Sequence, residues 1–357
     1  MRGLDATAPS RGLPGAARRG GVEAGGVPVN TVLPAITGTY RSGETLTSST
    51  GTWTNSPSSF AYQWTRDGSN IGGATSSTYV VTPTDIPALI ACVVTASNAG
   101  GASLPATSAA VSSPLRAIYQ IDPDARVWVH TQGTGVALAT PVETWTTADG
   151  AWTMTQSVSG SRPTREAGGV SFNGVTNYMI ADDSAAIFNT AYTIAAGLDN
   201  LSVINATRQL CGSYTAGVSS PTRRCSQINM SCGTVPSVTR MRFLLGGNSA
   251  TGQVNLTGLF DATGVGPFDL ACRSATPGAG DGEGLELADP LVSLSTAAWP
   301  AVANSNDLFT VGARRVSAAM VASRFEGDIR YFVALTLEAS DAVLSSVRDA
   351  LAAEGVL

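Results

Sequence analysis

Few residues of this 357-residue chain have the types and spacing that chemistry needs. The densest group is acidic: Asp281, Glu283, Glu286 and Asp289 lie in the stretch PGAGDGEGLELADP. Carboxylates on a glycine-rich loop are what a calcium ion takes, since it gathers oxygen ligands from several residues at once. The spacing departs from known calcium loops, so a solvated loop is the plainer reading; calcium is the one cofactor in view. Glycoside hydrolysis needs two carboxylates, one to attack or to activate water and one to donate a proton. Asp182 and Asp183 are adjacent, and in a strand they point to opposite faces. The single histidine, His130, follows Arg126-Val127-Trp128-Val129, where alternation sets it on the face of Trp128, a structural position. There is no G-x-S-x-G, phosphate-binding loop or dinucleotide fingerprint. On these grounds the chain reads as not an enzyme. Carbohydrate binding asks for less: an exposed aromatic ring for a sugar's apolar face and polar partners for its hydroxyls. Trp152, just past the Asp149-Gly150 turn, and Trp299, before Pro300, are the candidate glycan contacts.

Composition narrows the partners. Charged residues make up 13 %, each of the 21 basic residues is arginine, and the formal net charge is −5. A phosphate backbone needs a basic face, and these arginines are scattered, so nucleic acid is not expected. No apolar run approaches the ~20 residues of a membrane span, so no membrane partner is expected either. The start, Met1-Arg2-Gly3-Leu4-Asp5-Ala6, has no apolar stretch of the secretory type. Cys211, Cys225 and Cys232 cluster without the spacing of a metal knuckle. They read as buried thiols, with one local disulfide as the alternative.

The elements that must position such residues are mostly strands. Residues 1–30 are low-complexity Gly, Ala, Arg and Pro, with Arg2, Arg11, Arg18 and Arg19 against Asp5 and Glu23. Such a segment cannot bury its own surface and gains order by docking on something else. It is read as an extended anchoring arm. Residues 31–112 alternate apolar and polar in short runs punctuated by Gly, Asn, Ser and Pro, at sandwich spacing. Residues 113–120 form a Ser-Pro-containing link, and 121–357 again alternate. One helix stands out at the end: Ser340 caps it, Asp341 suits the dipole, Val343, Leu344, Val347 and Leu351 make its apolar stripe, and Gly355 ends it.

Two resemblances sharpen this organisation. Gly43-x-x-Leu46-Thr47, Gly51-x-Trp53, Tyr62-Gln63-Trp64-x-Arg66-Asp67-Gly68, Tyr79, Asp85 and Cys92-x-Val94-Thr95-Ala96-x-Asn98 together resemble the bacterial and phage Ig-like module. Cys92 has no partner cysteine at Leu46-Thr47, so it is expected as a small buried hydrophobe, and Trp64 as a core ring. Val127-Trp128-Val129, Trp145, Val170-x-Phe172-Asn173-Gly174, Tyr192-Thr193-Ile194 and Phe325-x-Gly327-Asp328-Ile329 resemble the concanavalin A-like jelly roll in its laminin-G-like form. The expected fold class is all-β: an Ig-like β-sandwich plus a concanavalin A-like jelly roll with a short C-terminal helix, preceded by an extended N-terminal arm. The pairing resembles structural proteins of tailed-bacteriophage virions, such as head fibres, decoration proteins or tail appendages. That implies placement on a virion surface, anchoring to capsid or tail proteins through the arm, and adhesion of the jelly roll to host-surface glycans. A homo-oligomer is compatible with this reading. The alternatives are a bacterial surface adhesin and a glycan hydrolase on the jelly roll.

Overall fold

The computed structural model describes residues 26–133, 137–181, 191–200 and 326–357 continuously, and between 200 and 326 it describes the strands alone. The chain is all-β apart from two helices and two short 3-10 turns among the described residues. The first sandwich sets a three-stranded sheet, Ile36–Thr37, Thr45–Ser48 and Thr78–Val80, against a larger one. The larger sheet runs Ala106–Thr107, Ile90–Asn98, Ser59–Arg66, Ser69–Asn70. Period-two burial explains its register: Ile90, Cys92, Val94 and Ala96 are all buried, and Trp64 sits opposite Cys92. Cys92 is a free thiol whose pKa is pushed up by burial. The Trp64 ring is fully buried and stacks on Tyr79 with centroids 5.5 Å apart.

The second sandwich pairs a nine-stranded sheet with an eight-stranded one. Its spine is Glu326–Leu335, which pairs with Tyr192–Asp199 on one side and with Arg126–Val129 and Val170–Asn173, end to end, on the other. Both faces of the spine are buried, and Tyr331–Leu335 is its continuous apolar run. Tyr331, Val333 and Leu335 belong to a cluster with Leu344, Val347 and Leu351 of the terminal helix, α2 (Asp341–Glu354). Phe332, the residue between Tyr331 and Val333, packs with Trp128 at 5.9 Å, and the Trp128 indole donates to Trp145 O at 2.9 Å. Trp145 is fully buried, a core residue as its place in the motif implies. Helix α2 begins with Ser340 accepting from Val343 N and ends at a left-handed Gly355. At Asn173-Gly174 the glycine has φ +68°, and Asn173 Oδ1 accepts the three following amides, from Val175, Thr176 and Asn177.

The two sandwiches share one apolar cluster that runs from Trp64 and Ile86 through Leu115 and Ile118 to Val347 and Leu351. Residues 113–120 therefore do more than link. They carry most of helix α1 (Arg116–Ile121), with Leu115, Ile118 and Tyr119 buried. A polar clamp joins the same junction. Glu354, 1 % exposed, accepts from Arg41 Nε at 2.8 Å, Thr131 Oγ1 at 3.1 Å and Gln132 Nε2 at 3.2 Å. Ser42 N donates to Gln132 Oε1 at 3.3 Å. No helix among the described residues is long and apolar enough to cross a membrane.

Candidate functional site

Trp152 sits at the base of a hairpin whose arms, Thr144–Thr146 and Thr153–Thr155, pair in register. The turn between them is built by its own polar groups. Thr147 N donates to Trp152 O at 2.8 Å, Trp152 N to Thr147 Oγ1 at 3.0 Å, and Thr147 Oγ1 to Asp149 Oδ1 at 2.6 Å. Asp149 N donates to Tyr119 OH at 3.3 Å, which ties the turn to helix α1. Gly150 has φ +77°, and a Cβ there would stand 2.8 Å from Pro83 Cβ of the Ig-like module. The hairpin is thus seated at the junction of the two sandwiches. The Trp152 indole is half-buried, and the Arg126 guanidinium lies 3.6 Å from its centroid. Arg126 is 2 % exposed, so the ring covers a buried cation. A desolvated cation–π pair of this kind contributes about 2 kcal/mol. The ring is therefore held in one orientation before any ligand arrives.

The structure treats the other sequence candidates differently. Asp281, Glu283 and Glu286 are not on a loop: Asp281–Glu286 is a strand paired along both edges, with Phe268–Ser274 and Val292–Ala298. This corrects the expected loop: from Asp281 to Glu286 the backbone is extended and paired on both edges. Glu283 is opposite Arg273 in register. The glycines that suggested a loop are positions where pairing overrides a poor strand propensity. Asp289, Trp299, Asp182 and Asp183, and the arm residues Arg2, Arg11, Arg18 and Arg19, lie outside the described residues. Cys211 and Cys232 fall on neighbouring strands opposite Ile228 and Thr239, and Cys225 lies outside the described residues.

His130 is buried and its Nδ1 stands 2.9 Å from Arg330 O. A carbonyl only accepts, so Nδ1 carries the proton and donates. Burial pushes the His130 pKa below its ordinary value, and the ring is neutral and structural. Arg330 donates to Asp269 Oδ1 and to Val356 O, both at 2.7 Å, tying the spine to the chain end.

One feature that sequence reasoning missed is a groove of about 540 Å³ on the Ig-like module. It runs beside Tyr79 and Arg66. Its signal was Asp85, a motif position whose partners no pattern states. Asp85 is fully buried and accepts from Arg66 Nε at 2.7 Å, Tyr79 OH at 2.8 Å, Thr82 N at 2.7 Å and Thr82 Oγ1 at 2.7 Å. Burial and the Asp85 carboxylate both push the Tyr79 pKa up, so its hydroxyl stays protonated and donating.

No protein-family model matches the chain, and no curated protein sequence matches it. Solved structures do. A heptameric SAP-like pentraxin from Limulus polyphemus matches 49 % of this chain and 78 % of its own, at 8 % identity and a TM-score of 0.37. Trypanosoma rangeli sialidase in complex with sialic acid matches 90 % of this chain and 53 % of its own, at 13 % identity and a TM-score of 0.43. The CBM40 of a Ruminococcus gnavus sialidase, bound to α2,3-sialyllactose, matches 50 % of this chain and 95 % of its own, at 13 % identity and a TM-score of 0.37. The chain spans about half the length of the sialidase it matches. At these values the likenesses assign neither an activity nor a ligand to this chain. They do correct the expectation that it is not an enzyme. Sialidases are among the matching structures, and a sequence without a recognisable carboxylate pair is no ground for setting enzymes aside.

Proposed function

We propose that this protein binds carbohydrate, with Trp152 as the aromatic contact. The observation that carries the reading is the Arg126–Trp152 pair: a partly buried indole fixed on a buried guanidinium at 3.6 Å. A sugar's apolar face stacks on a ring, and a ring already immobilised loses little entropy when it is covered. Asp149, partly exposed on the same turn, supplies a polar partner for sugar hydroxyls beside the ring. Neighbouring solved structures are named for sialic acid and sialyllactose, which agrees with the ligand class without adding to the geometry. The test is binding of the full chain to a panel of immobilised glycans, compared with Trp152→Phe. The conservative ring keeps Arg126 covered and shortens the contact surface, so binding should weaken about tenfold with the fold intact. Equal binding by both proteins refutes the role of Trp152.

The finer reading puts the protein on a tailed-phage particle, with residues 1–30 docked on a shell or tube protein. It rests on the resemblance of the sequence alone. Its test is incorporation into particles: deleting residues 1–25 should abolish it, and undiminished incorporation refutes the anchoring arm.

A further inference from the structure

We infer that the groove on the Ig-like module is a second carbohydrate site, which takes an uncharged sugar ring. This goes beyond the Trp152 reading and stands on different residues. The groove opens between the edges of the two sheets: Ser69–Asn70 is the outer strand of one, and Thr78–Val80 of the other. Its volume lies in the range of small-molecule sites. Ile71 and the Tyr79 ring give it an apolar wall, and Tyr79 is held by its stacking on Trp64 and its hydrogen bond to Asp85. Gly72 and Gly73 leave open space where side chains would project. Exposed hydroxyls of Thr75, Ser76, Thr78 and Thr84 line it. An apolar wall with hydroxyls at its rim matches a sugar, whose C–H face and ring hydroxyls are disposed the same way.

Charge decides which sugars fit. Arg66 is the one charged residue of the lining, and its Nε and Nη2 are both held by the buried Asp85 carboxylate. The pair is neutral overall, so an acidic sugar gains no net attraction there. Nη1 of Arg66 has no partner among the described residues, and the side chain is 35 % exposed, which leaves a donor aimed by the Asp85 fork. A peptide adding as a further strand is disfavoured. The edge strand Thr78–Val80 is three residues long and Pro83 follows closely, two features that block strand addition.

The experiment is ligand-observed saturation-transfer NMR on the full chain with glucose, galactose, mannose and N-acetylglucosamine, and sialic acid as the charged comparison. Two variants test the groove: Gly72→Phe, which fills it from a position with open space, and Thr78→Val, which removes an exposed hydroxyl at constant volume. At least one neutral sugar should show transfer, sialic acid should show less, and both variants should weaken the neutral sugar's binding, Gly72→Phe about tenfold or more. The part of the signal removed by Gly72→Phe and Thr78→Val should be the same whether those changes are made in the parent or in Trp152→Phe. Binding lost in Trp152→Phe but unchanged in both groove variants overturns this inference and leaves the Trp152 reading standing. Preference for sialic acid in the part of the signal that Gly72→Phe and Thr78→Val remove, or transfer to no sugar at all, also overturns it.

Discussion

Asp85→Asn is the most informative single change in the Ig-like module. The carboxylate divides its work: Oδ1 takes the Arg66 guanidinium, and Oδ2 takes the Tyr79 hydroxyl, the Thr82 hydroxyl and the Thr82 amide. An asparagine has the same shape but turns one oxygen into a donor. Placed toward Arg66, the new amide meets two N–H donors; placed toward Thr82, it meets a backbone N–H that cannot turn away. Hydroxyls of Tyr79 and Thr82 can rotate to accept, but the guanidinium and the amide cannot. The variant therefore loses at least one charge-assisted bond, worth roughly 1.5–3 kcal/mol, and leaves a buried donor unpaired at roughly 1–3 kcal/mol more. Because Arg66 is one-third exposed and recovers some hydration, about 3 kcal/mol is the expected net loss. Urea unfolding followed by tryptophan fluorescence reads it directly, since Trp64 stacks on Tyr79. Tyr79→Phe, which removes one hydroxyl, should cost about 1 kcal/mol in the same assay. An Asp85→Asn protein within about 0.5 kcal/mol of the parent, on the scale of ordinary surface changes, refutes the claim that this buried carboxylate holds Arg66, Tyr79 and Thr82 in place.

Further outcomes follow from the junction and the buried histidine. Arg41→Ala leaves Glu354 buried without its cation and should cost about 3 kcal/mol, measured as a shift in the urea midpoint. Burial pushes the Glu354 pKa above 4.5 in the fold, so its contribution is greatest below that value and falls as pH rises. Glu354→Gln should remove that pH slope. His130 has the opposite sign: its folded pKa is below 6.5, so stability is fully present above pH 6.5 and is lost as pH falls. His130→Asn, which retains a donor toward Arg330 O, should flatten the loss between pH 7.5 and 5.5 in chemical denaturation. Gly150→Ala combines a left-handed backbone with a Cβ pressed on Pro83, and about 2 kcal/mol of destabilisation is expected by calorimetry.

The sequence made some parts of this molecule legible and hid others, for physical reasons. The terminal helix was readable to the residue because capping and apolar spacing are local: Ser340 caps, Gly355 turns left-handed, and Leu344, Val347 and Leu351 are buried. Trp64, Trp128 and Trp145 are fully buried, as their places in the two resembled motifs imply. Helix α1 was hidden by its six-residue length and by Pro114 before it, although Leu115, Ile118 and Tyr119 carry a helical spacing. The strand Asp281–Glu286 was hidden because glycine signals a turn, while pairing on both edges is a property of distant residues. The groove was hidden because its lining is made of small polar turn residues, which look alike wherever they occur. Trp152 was nominated as an exposed ring. What the sequence could not supply was Arg126 beneath it, 26 positions earlier in the chain.

The central claim is that the fixed indole of Trp152 meets a sugar. The most direct measurement is titration of the full chain and of Trp152→Phe with a glycan retained from the array, with the thermal midpoint of each protein recorded alongside. The parent should bind it and the variant about tenfold more weakly, at closely similar midpoints. Retention of no glycan by the parent, or equal affinity in the two proteins, contradicts it.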